Sequence, residues 1–506
     1  GEPTLLLTNR GFRDALAIGY QNRPHLFRLR IEKPELLYAK VAETGGRMSA
    51  SGEELEAFDA ENARAALQEA FDEGLQAVAI CFMHGYRYPA HETQAAEIAR
   101  EIGFTQISTS HGVSPLMKFV ARGDTTVVDA YLSPVLRRYV DRVAGAIGTD
   151  DPATRLFFMQ SSGGLTEAHL FEGKDAVLSG PAGGVVGAVE TSKLAGFSRI
   201  IGFDMGGTST DVCHYDGEFE RSFDNEVAGV RMRAPMMQIH TVAAGGGSIL
   251  HFDGSRLRVG PDSAGANPGP AAYRKGGPLT VTDANVLTGK LIPDYFPKVF
   301  GPAADEGLDS AEGGARFSVL SGKIERMPEE IADGFIRIAV ENMAQAIKKI
   351  SVQRGYDVTG YALTCFGGAG GQHACLVADA LGMTKIFFHP FSGILSAYGM
   401  GLADIRAQRE TAVERDLDAD ALAALEPVLD ELGADVRAQV AAQGVDKSRI
   451  ELKPRLHLRY AGTDTALIVE HGALDEVREA FEAAHRQRFG FTVEKPVVME
   501  AESVEA

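Results

Sequence analysis

The string Phe203-Asp204-Met205-Gly206-Gly207-Thr208-Ser209-Thr210-Asp211-Val212 restricts the folds open to this chain more than any other stretch. Arg199-Ile200-Ile201-Gly202-Phe203-Asp204 reads as a buried strand that delivers Asp204 at its end. Asp211-Val212-Cys213-His214-Tyr215 reads as the returning strand, so the glycines between them mark a hairpin turn. Two glycines let a backbone approach a phosphate closely, and the hydroxyls of Thr208, Ser209 and Thr210 add donors around the same anion. Hydrated Mg²⁺ keeps most of its waters and takes only one or two carboxylates, so Asp204 suits it as a ligand. The expectation is a phosphate-binding turn at Gly206 to Thr210, with Asp204 and Asp211 as catalytic carboxylates and Asp204 on the metal.

A second string, Cys365-Phe366-Gly367-Gly368-Ala369-Gly370-Gly371-Gln372-His373, ends a strand and opens a helix. A helix start offers free N–H groups and the positive end of the dipole, which suits a nucleotide phosphate or close packing under an adenine. Neither GxxxxGK[ST] nor GxGxxG fits this string, which weakens a P-loop kinase and a dinucleotide Rossmann site. Thr241 to Ser248, with Gly245, Gly246 and Gly247, reads either as a second phosphate-facing turn or as a packed strand-to-turn junction. Ser179-Gly180-Pro181-Ala182-Gly183-Gly184 reads either as an anion cradle at a helix start or as close strand–helix packing. These clusters concentrate the chain's 57 glycines beside apolar runs, the pattern of tight turns carried on rigid strands.

The remaining single residues read mainly as structure. His240 and His251 flank the Gly245 cluster as core histidines or acid–base groups, and His373 stands where it could cap its helix. Cys365 and Cys375 read as small buried hydrophobes. Asp283 and Asn285, after Thr280-Val281-Thr282, are placed like ligands at a strand end.

Apolar spacing supplies the framework. Leu5-Leu6-Leu7 and Ala77 to Ile80 read as buried strands, and Glu53 to Glu73 as an amphipathic helix. A long helix over Asp124 to Ile147 enters from an Arg122-Gly123-Asp124 turn, with Pro134 as a kink point. Gly301 to Gly314 reads as an exposed loop, Phe335 to Val352 as a helix, and Leu474 to Phe489 as an amphipathic helix. The terminal Glu502 to Ala506 carries no signal. Four regions are expected: 1–120, the N-terminal α/β lobe; 121–300, a central lobe with the hairpin; 301–410, a helix and the second glycine loop; and 411–506, a C-terminal α+β region.

Composition removes other classes. Fifty Lys and Arg against 69 Asp and Glu leave a net charge of −19, which disfavours a nucleic-acid-coating protein and leaves backbone amides and a metal to supply any local positive field. The four cysteines form neither a CxxC knuckle nor a dense disulfide set, so reduced thiols and a cytoplasmic location are expected. No apolar run approaches the ~20 residues of a membrane span. The start Gly1-Glu2-Pro3 is neither a signal peptide nor a Met-initiated terminus.

Taken together, Gly202 to Val212, Val177 to Gly187, Thr241 to Ser248, Val259 to Pro270, Thr280 to Asn285 and Cys365 to Cys375 resemble the hydantoinase A / 5-oxoprolinase family. The likeness extends to Arg10-Gly11-Phe12-Arg13-Asp14 and Gln21-Asn22-Arg23-Pro24 near the front. It implies an actin-like ATPase fold: two RNase-H-like lobes clasping ATP and Mg²⁺, with a smaller C-terminal α+β region. It implies that Asp204 to Asp211 is the second phosphate hairpin, that Gly246 and Gly247 lie on the nucleotide side, and that Gly367, Gly368, Ala369, Gly370 and Gly371 form the adenosine loop. The family's first hairpin, an Asp-Gly-Gly-Thr string, does not occur before Leu5-Leu6-Leu7, and its hydantoinase-B-like half does not follow, which implies a separate partner or a truncation. The implied activity is ATP-coupled hydrolysis of a cyclic amide, 5-oxo-L-proline before hydantoins, in an oligomer. A ketone carboxylase component or a nucleotide-binding subunit without turnover remains open beside it.

Overall fold

The computed structural model describes residues 1–20, 27–31, 33, 35–149, 151 and 153–506; the Gln21 to Pro24 stretch lies outside them. The chain forms a mixed α/β fold in two compact units. One comprises Gly1–Ser179, Arg221–Met236 and Asp404–Ala506, the other Gly180–Glu220 and Met237–Ala403.

The first unit contains two sheets of four strands. One runs in the order Tyr38–Thr44, Thr4–Asn9, Ala77–Cys81, Gln106–Thr109, all parallel. Both faces of a parallel sheet are covered, which is why Leu5-Leu6-Leu7 is continuously apolar. Leu5 and Leu7 pack with the core of helices Ala60–Asp72 and Ala90–Ile102, while Leu6 packs with Val127 and Ala130 of helix Phe119–Ile147. That helix runs through Pro134, and it begins earlier than the expected turn: Arg122 lies inside it and is fully buried. The Arg122 guanidinium donates to Ser110 Oγ at 2.8 Å and to the carbonyls of Leu116 at 2.9 Å and Phe82 at 2.6 Å, a structural use that explains a buried arginine. The expected Glu53 to Glu73 helix also starts late. Asp59 caps it by accepting from Asn62 N–H, and Glu54–Glu56 instead pairs with Arg47–Met48.

The other four-stranded sheet of this unit is antiparallel, in the order Gln408–Asp416, Val497–Glu505, Lys453–Tyr460, Leu467–Glu470. Helices Ala419–Ala442 and Leu474–Phe489 bury Leu422, Leu425, Val477 and Phe481 against Leu456, Leu458 and Met499. Val497–Glu505 is a central strand of this sheet, with Met499-Glu500-Ala501-Glu502 alternating apolar and acidic residues in the strand period, so the terminal Glu502 to Ala506 is not free of structure.

The second unit is organised by a mixed five-stranded sheet: Ile239–Val242, Thr210–Asp216, Arg199–Met205, Ala362–Phe366, Lys385–Phe388. The first three strands are antiparallel neighbours and the last three parallel ones. Helix Pro328–Ile350 lays Phe335, Met343 and Ile347 against Ile201, Phe203 and Val212. The expected loop over Gly301 to Gly314 gives way at Ser310 to a helix, because Asp309 accepts from Glu312 N–H at 3.1 Å and caps it. Among the described residues no helix is long and apolar enough to cross a membrane, and all four cysteines are free.

Candidate active site

The strand Arg199–Met205 and its antiparallel neighbour Thr210–Asp216 place Asp204 directly opposite Asp211. Residues 206–209 close the hairpin, and Gly206 N–H donates to Ser209 O at 3.0 Å across its base. Among the described residues the amides of Gly207, Thr208 and Ser209 meet no acceptor, and Gly207 and Thr208 are exposed. The turn therefore presents three unspent N–H donors beside two hydroxyls. Thr210 differs from its neighbours: it is buried and its hydroxyl donates to the Ala244 carbonyl, so it anchors the hairpin.

Gly246 and Gly247 reach the site from the next segment, but their amides are already used. Gly246 N–H donates to Gly206 O at 3.1 Å and Gly247 N–H to Gly207 O at 2.6 Å. This segment braces the hairpin. A Cβ on Gly245 would stand 2.6 Å from the Thr208 backbone, so only glycine lets the two chains meet so closely. The brace is held in turn by Thr282, whose N–H and hydroxyl both donate to Gly246 O, at 2.8 and 2.9 Å.

The Gly367 loop packs from the other side. Ala369 N–H donates to Met205 O at 2.9 Å, and Gly367 N–H to Ser392 O at 3.0 Å. Gly367 has φ +81°, and a Cβ there would press on the Asp204 carboxylate and stand 2.5 Å from Met205 O. Nothing lies within 4 Å of a Cβ on Gly207 or on Gly368, so these two positions border open space. Gly370 is buried and Gly371 exposed at the start of the 3₁₀ turn leading into helix Ala374–Leu381. The hairpin, the Gly245 segment and the Gly367 loop thus converge, although Gly206 and Gly371 stand 165 residues apart in sequence.

The two carboxylates differ in their support. Burial, then the neighbouring Asp211 charge, pushes Asp204 up to about 6. Burial also raises Asp211, against the opposing hydrogen bond from the Thr241 hydroxyl at 2.6 Å. Among the described residues Asp204 has no hydrogen-bond donor or cationic partner, so burial and the facing Asp211 act on it unopposed. No cluster of three acidic, histidine or cysteine ligands occurs among the described residues. A hydrated Mg²⁺ does not require one, and the donor set fits it. Thr241, which orients Asp211, has no signal in the sequence, because strand order across a sheet is not written in local spacing.

Several expected site residues serve the fold instead. Val281–Leu287 is a helix rather than a strand end, and Asp283 caps it: its carboxylate accepts from Thr280 N–H at 2.8 Å, Thr280 Oγ1 at 2.9 Å and the amides of Ala271 and Ala272 at 3.1 and 2.8 Å. These four donors give it a structural role in holding the helix start. Asn285 is buried and donates to Gln372 Oε1 at 2.7 Å, tying this helix to the end of the glycine loop, with His373 Nε2 3.0 Å away. His251 pairs with Asp262 at 2.9 Å. Burial pushes the Cys365 thiol up to about 12, which leaves it unreactive, whereas Cys375 is exposed rather than buried.

The sequence model of the Hydantoinase/oxoprolinase family matches residues 122–409, and that of the Hydantoinase/oxoprolinase N-terminal region matches residues 1–103. The chain is 40% identical to 5-oxoprolinase 1 of Arabidopsis thaliana, a match covering 98% of this chain and 42% of the relative. It thus spans less than half the length of such relatives. The crystal structure of the ATP-dependent caprolactamase from Pseudomonas jessenii superposes with a TM-score of 0.87 at 30% identity, covering 99% of this chain and 75% of that one. A nucleotide-free acetone carboxylase structure, at TM-score 0.73 and 22% identity, covers 100% of this chain and 76% of that one and shares the fold.

Proposed function

Since the chain belongs to the hydantoinase/oxoprolinase family, we propose that it is the nucleotide-binding part of an ATP-dependent cyclic amidohydrolase whose substrate is 5-oxo-L-proline. The observation that carries this reading is the facing pair Asp204 and Asp211 beneath a turn with three unspent amides. The two compact units would be the lobes of an actin-like ATPase. In this reading the N–H groups of Gly207, Thr208 and Ser209 and the hydroxyls of Thr208 and Ser209 bind phosphate oxygens, the two carboxylates hold hydrated Mg²⁺, and the Gly367 to Gly371 loop lies on the adenosine side. Gly246 and Gly247 act by holding the hairpin, not by touching phosphate. A net charge of −19 makes such local donors necessary.

A ring amide is a poor electrophile; transfer of the γ-phosphoryl group of ATP to its carbonyl oxygen would activate the ring carbon. Water then adds there, the C–N bond breaks with the ring nitrogen leaving as the amine, and the acyl phosphate formed is hydrolysed by a second water to the carboxylate and phosphate. The chain's own contribution is positioning: amides fixed by the brace offer their dipoles without reorganising, the largest single source of catalysis in phosphoryl transfer. A hydantoinase-B-like half or subunit completes the enzyme, consistent with relatives more than twice as long. Free cysteines suit a reducing compartment, and we place the enzyme in the cytoplasm.

Phosphate release by the full-length protein with its partner half tests the proposal, with 5-oxo-L-proline, hydantoin and ε-caprolactam compared. Release from ATP is expected only with a cyclic amide present and fastest with 5-oxo-L-proline. Rapid hydrolysis with no amide, or none with any of the three, would overturn it.

A further inference from the structure

A cavity of about 660 Å³ lies wholly within the first compact unit and is built from chain segments that take no part in the hairpin site. Its volume is that of an ordinary small-molecule site, so the chemistry of its walls must say what enters. Leu16, Leu37, Val127 and Val230 make an apolar side. Opposite in character is the pair Arg231 and Asp124, joined by Arg231 Nε to Asp124 Oδ2 at 2.8 Å.

That pair is half used. Nε is one of five guanidinium donors, and among the described residues no acceptor meets the two Nη groups of Arg231. The guanidinium lies over the Tyr20 ring, 5.1 Å from its centre, a cation–π contact. Gly19, at φ +58°, makes room for it, since a Cβ there would stand 2.6 Å from Nη2. Asp124 Oδ1 likewise meets no donor among the described residues. Burial pushes this carboxyl up to about 6 despite the arginine, as expected of an acceptor still lacking a partner.

The rest of the lining decides between ligand classes. Lys33, whose ammonium already donates to Ala17 O at 2.7 Å, adds a second cation, while Glu35 and Glu226 add two more acids. A simple anion such as phosphate would face three carboxylates, and a simple cation would face Arg231 and Lys33. A ligand carrying a carboxylate and a nearby N–H donor satisfies both signs. We infer that this cavity binds a small amino-acid-like carboxylate, an amino acid or the lactam made from one, with Arg231 taking the carboxylate through its paired Nη donors and Asp124 accepting the adjacent N–H. The choice among such ligands rests on the proposed function: 5-oxo-L-proline as substrate and L-glutamate as product both have this arrangement, and ε-caprolactam lacks the carboxylate.

Calorimetric titration of the full-length protein with these three compounds, with and without ATP, tests the site. Either carboxylate should bind, with ε-caprolactam at least about tenfold weaker, because a bidentate arginine contact is absent. Arg231→Gln should weaken carboxylate binding about tenfold or more and leave Mg²⁺-ATP affinity unchanged. Arg231→Lys should fall between, keeping the charge but losing the planar fork. Ile18→Trp, at a half-exposed wall position, should weaken binding without disturbing the half-buried pair of Arg231 and Asp124. Binding of L-glutamate alone supports the site with the product as occupant. The inference is overturned if neither carboxylate binds, if ε-caprolactam binds equally well, or if Arg231→Gln and Ile18→Trp both bind like the unaltered protein. Amide-dependent ATP hydrolysis with an unchanged KM in both variants would remove this site alone, and carboxylate binding without such hydrolysis would remove only the proposed reaction.

Discussion

Replacing Asp204 by asparagine should make the ligand-free protein more stable at neutral and alkaline pH, and the size of the effect follows from the site's electrostatics. Burial, with Asp211 across the hairpin as the second cause, raises this carboxyl from 3.8 to about 6. Between those values the folded protein holds a proton that the unfolded chain has released, so stability falls as pH rises from 3.8 to about 6 and stays reduced above. At about 1.4 kcal/mol per pH unit, the loss across that interval comes to about 3 kcal/mol. Asparagine has nearly the same shape, carries no charge, and breaks no hydrogen bond, because the Asp204 side chain makes none among the described residues. Asp204→Asn should therefore gain up to about 3 kcal/mol over the unaltered protein at pH 8 and nothing near pH 4, as read by urea unfolding with a chelator present. The same variant should lose most of the protection against heat that Mg²⁺-ATP confers, which is about 2.7 kcal/mol for a ligand at a hundredfold excess over its Kd. A variant less stable than the parent at pH 8 would show that the carboxylate has an internal partner. An undiminished Mg²⁺-ATP shift would remove Asp204 from the nucleotide site.

Two further substitutions separate packing from ligand contact. Gly367→Ala should destabilise by about 2–4 kcal/mol, since a left-handed alanine alone costs about 1–2 kcal/mol and its methyl would press on Asp204 and Met205. Gly368→Ala, with open space at its Cβ, should stay within about 0.5 kcal/mol in stability, and equal melting temperatures for the two variants would refute the packing described. Glu502→Gln should stabilise above pH 7 by about 1–3 kcal/mol and not below pH 4.5, because burial and then Glu426 raise this carboxyl from 4.5 to about 7 while both its oxygens lack partners among the described residues. Urea unfolding at pH 4 and pH 8 checks it, and equal gains at both pH values would show that charge is not the cause.

Local sequence determined what local geometry can express. A strand, two glycines, three hydroxyl residues and a returning strand specify the hairpin from Arg199 to Asp216 by themselves, since turn and strand preferences act over a few residues. The Leu474–Phe489 helix was legible for the same reason, its apolar residues repeating at helical spacing. Helix onsets were less so: Asp59, Asp309 and Thr280 each stop or start an element through a capping contact that periodicity does not register. Asp283 shows the limit most clearly, because an acid after an apolar run reads as a ligand until the amides of Ala271 and Ala272 are found to occupy it. The tertiary structure alone assigned Gly246 and Gly247 to bracing the hairpin, Thr241 to Asp211, and Arg231 to Asp124 across 107 residues of chain. It alone made Val497–Glu505 the centre of a sheet, with partners at Gln408–Asp416 and Lys453–Tyr460. Such pairings form when distant segments exchange water for each other, and the free energy that selects them belongs to the contact, which neither segment carries in its own sequence.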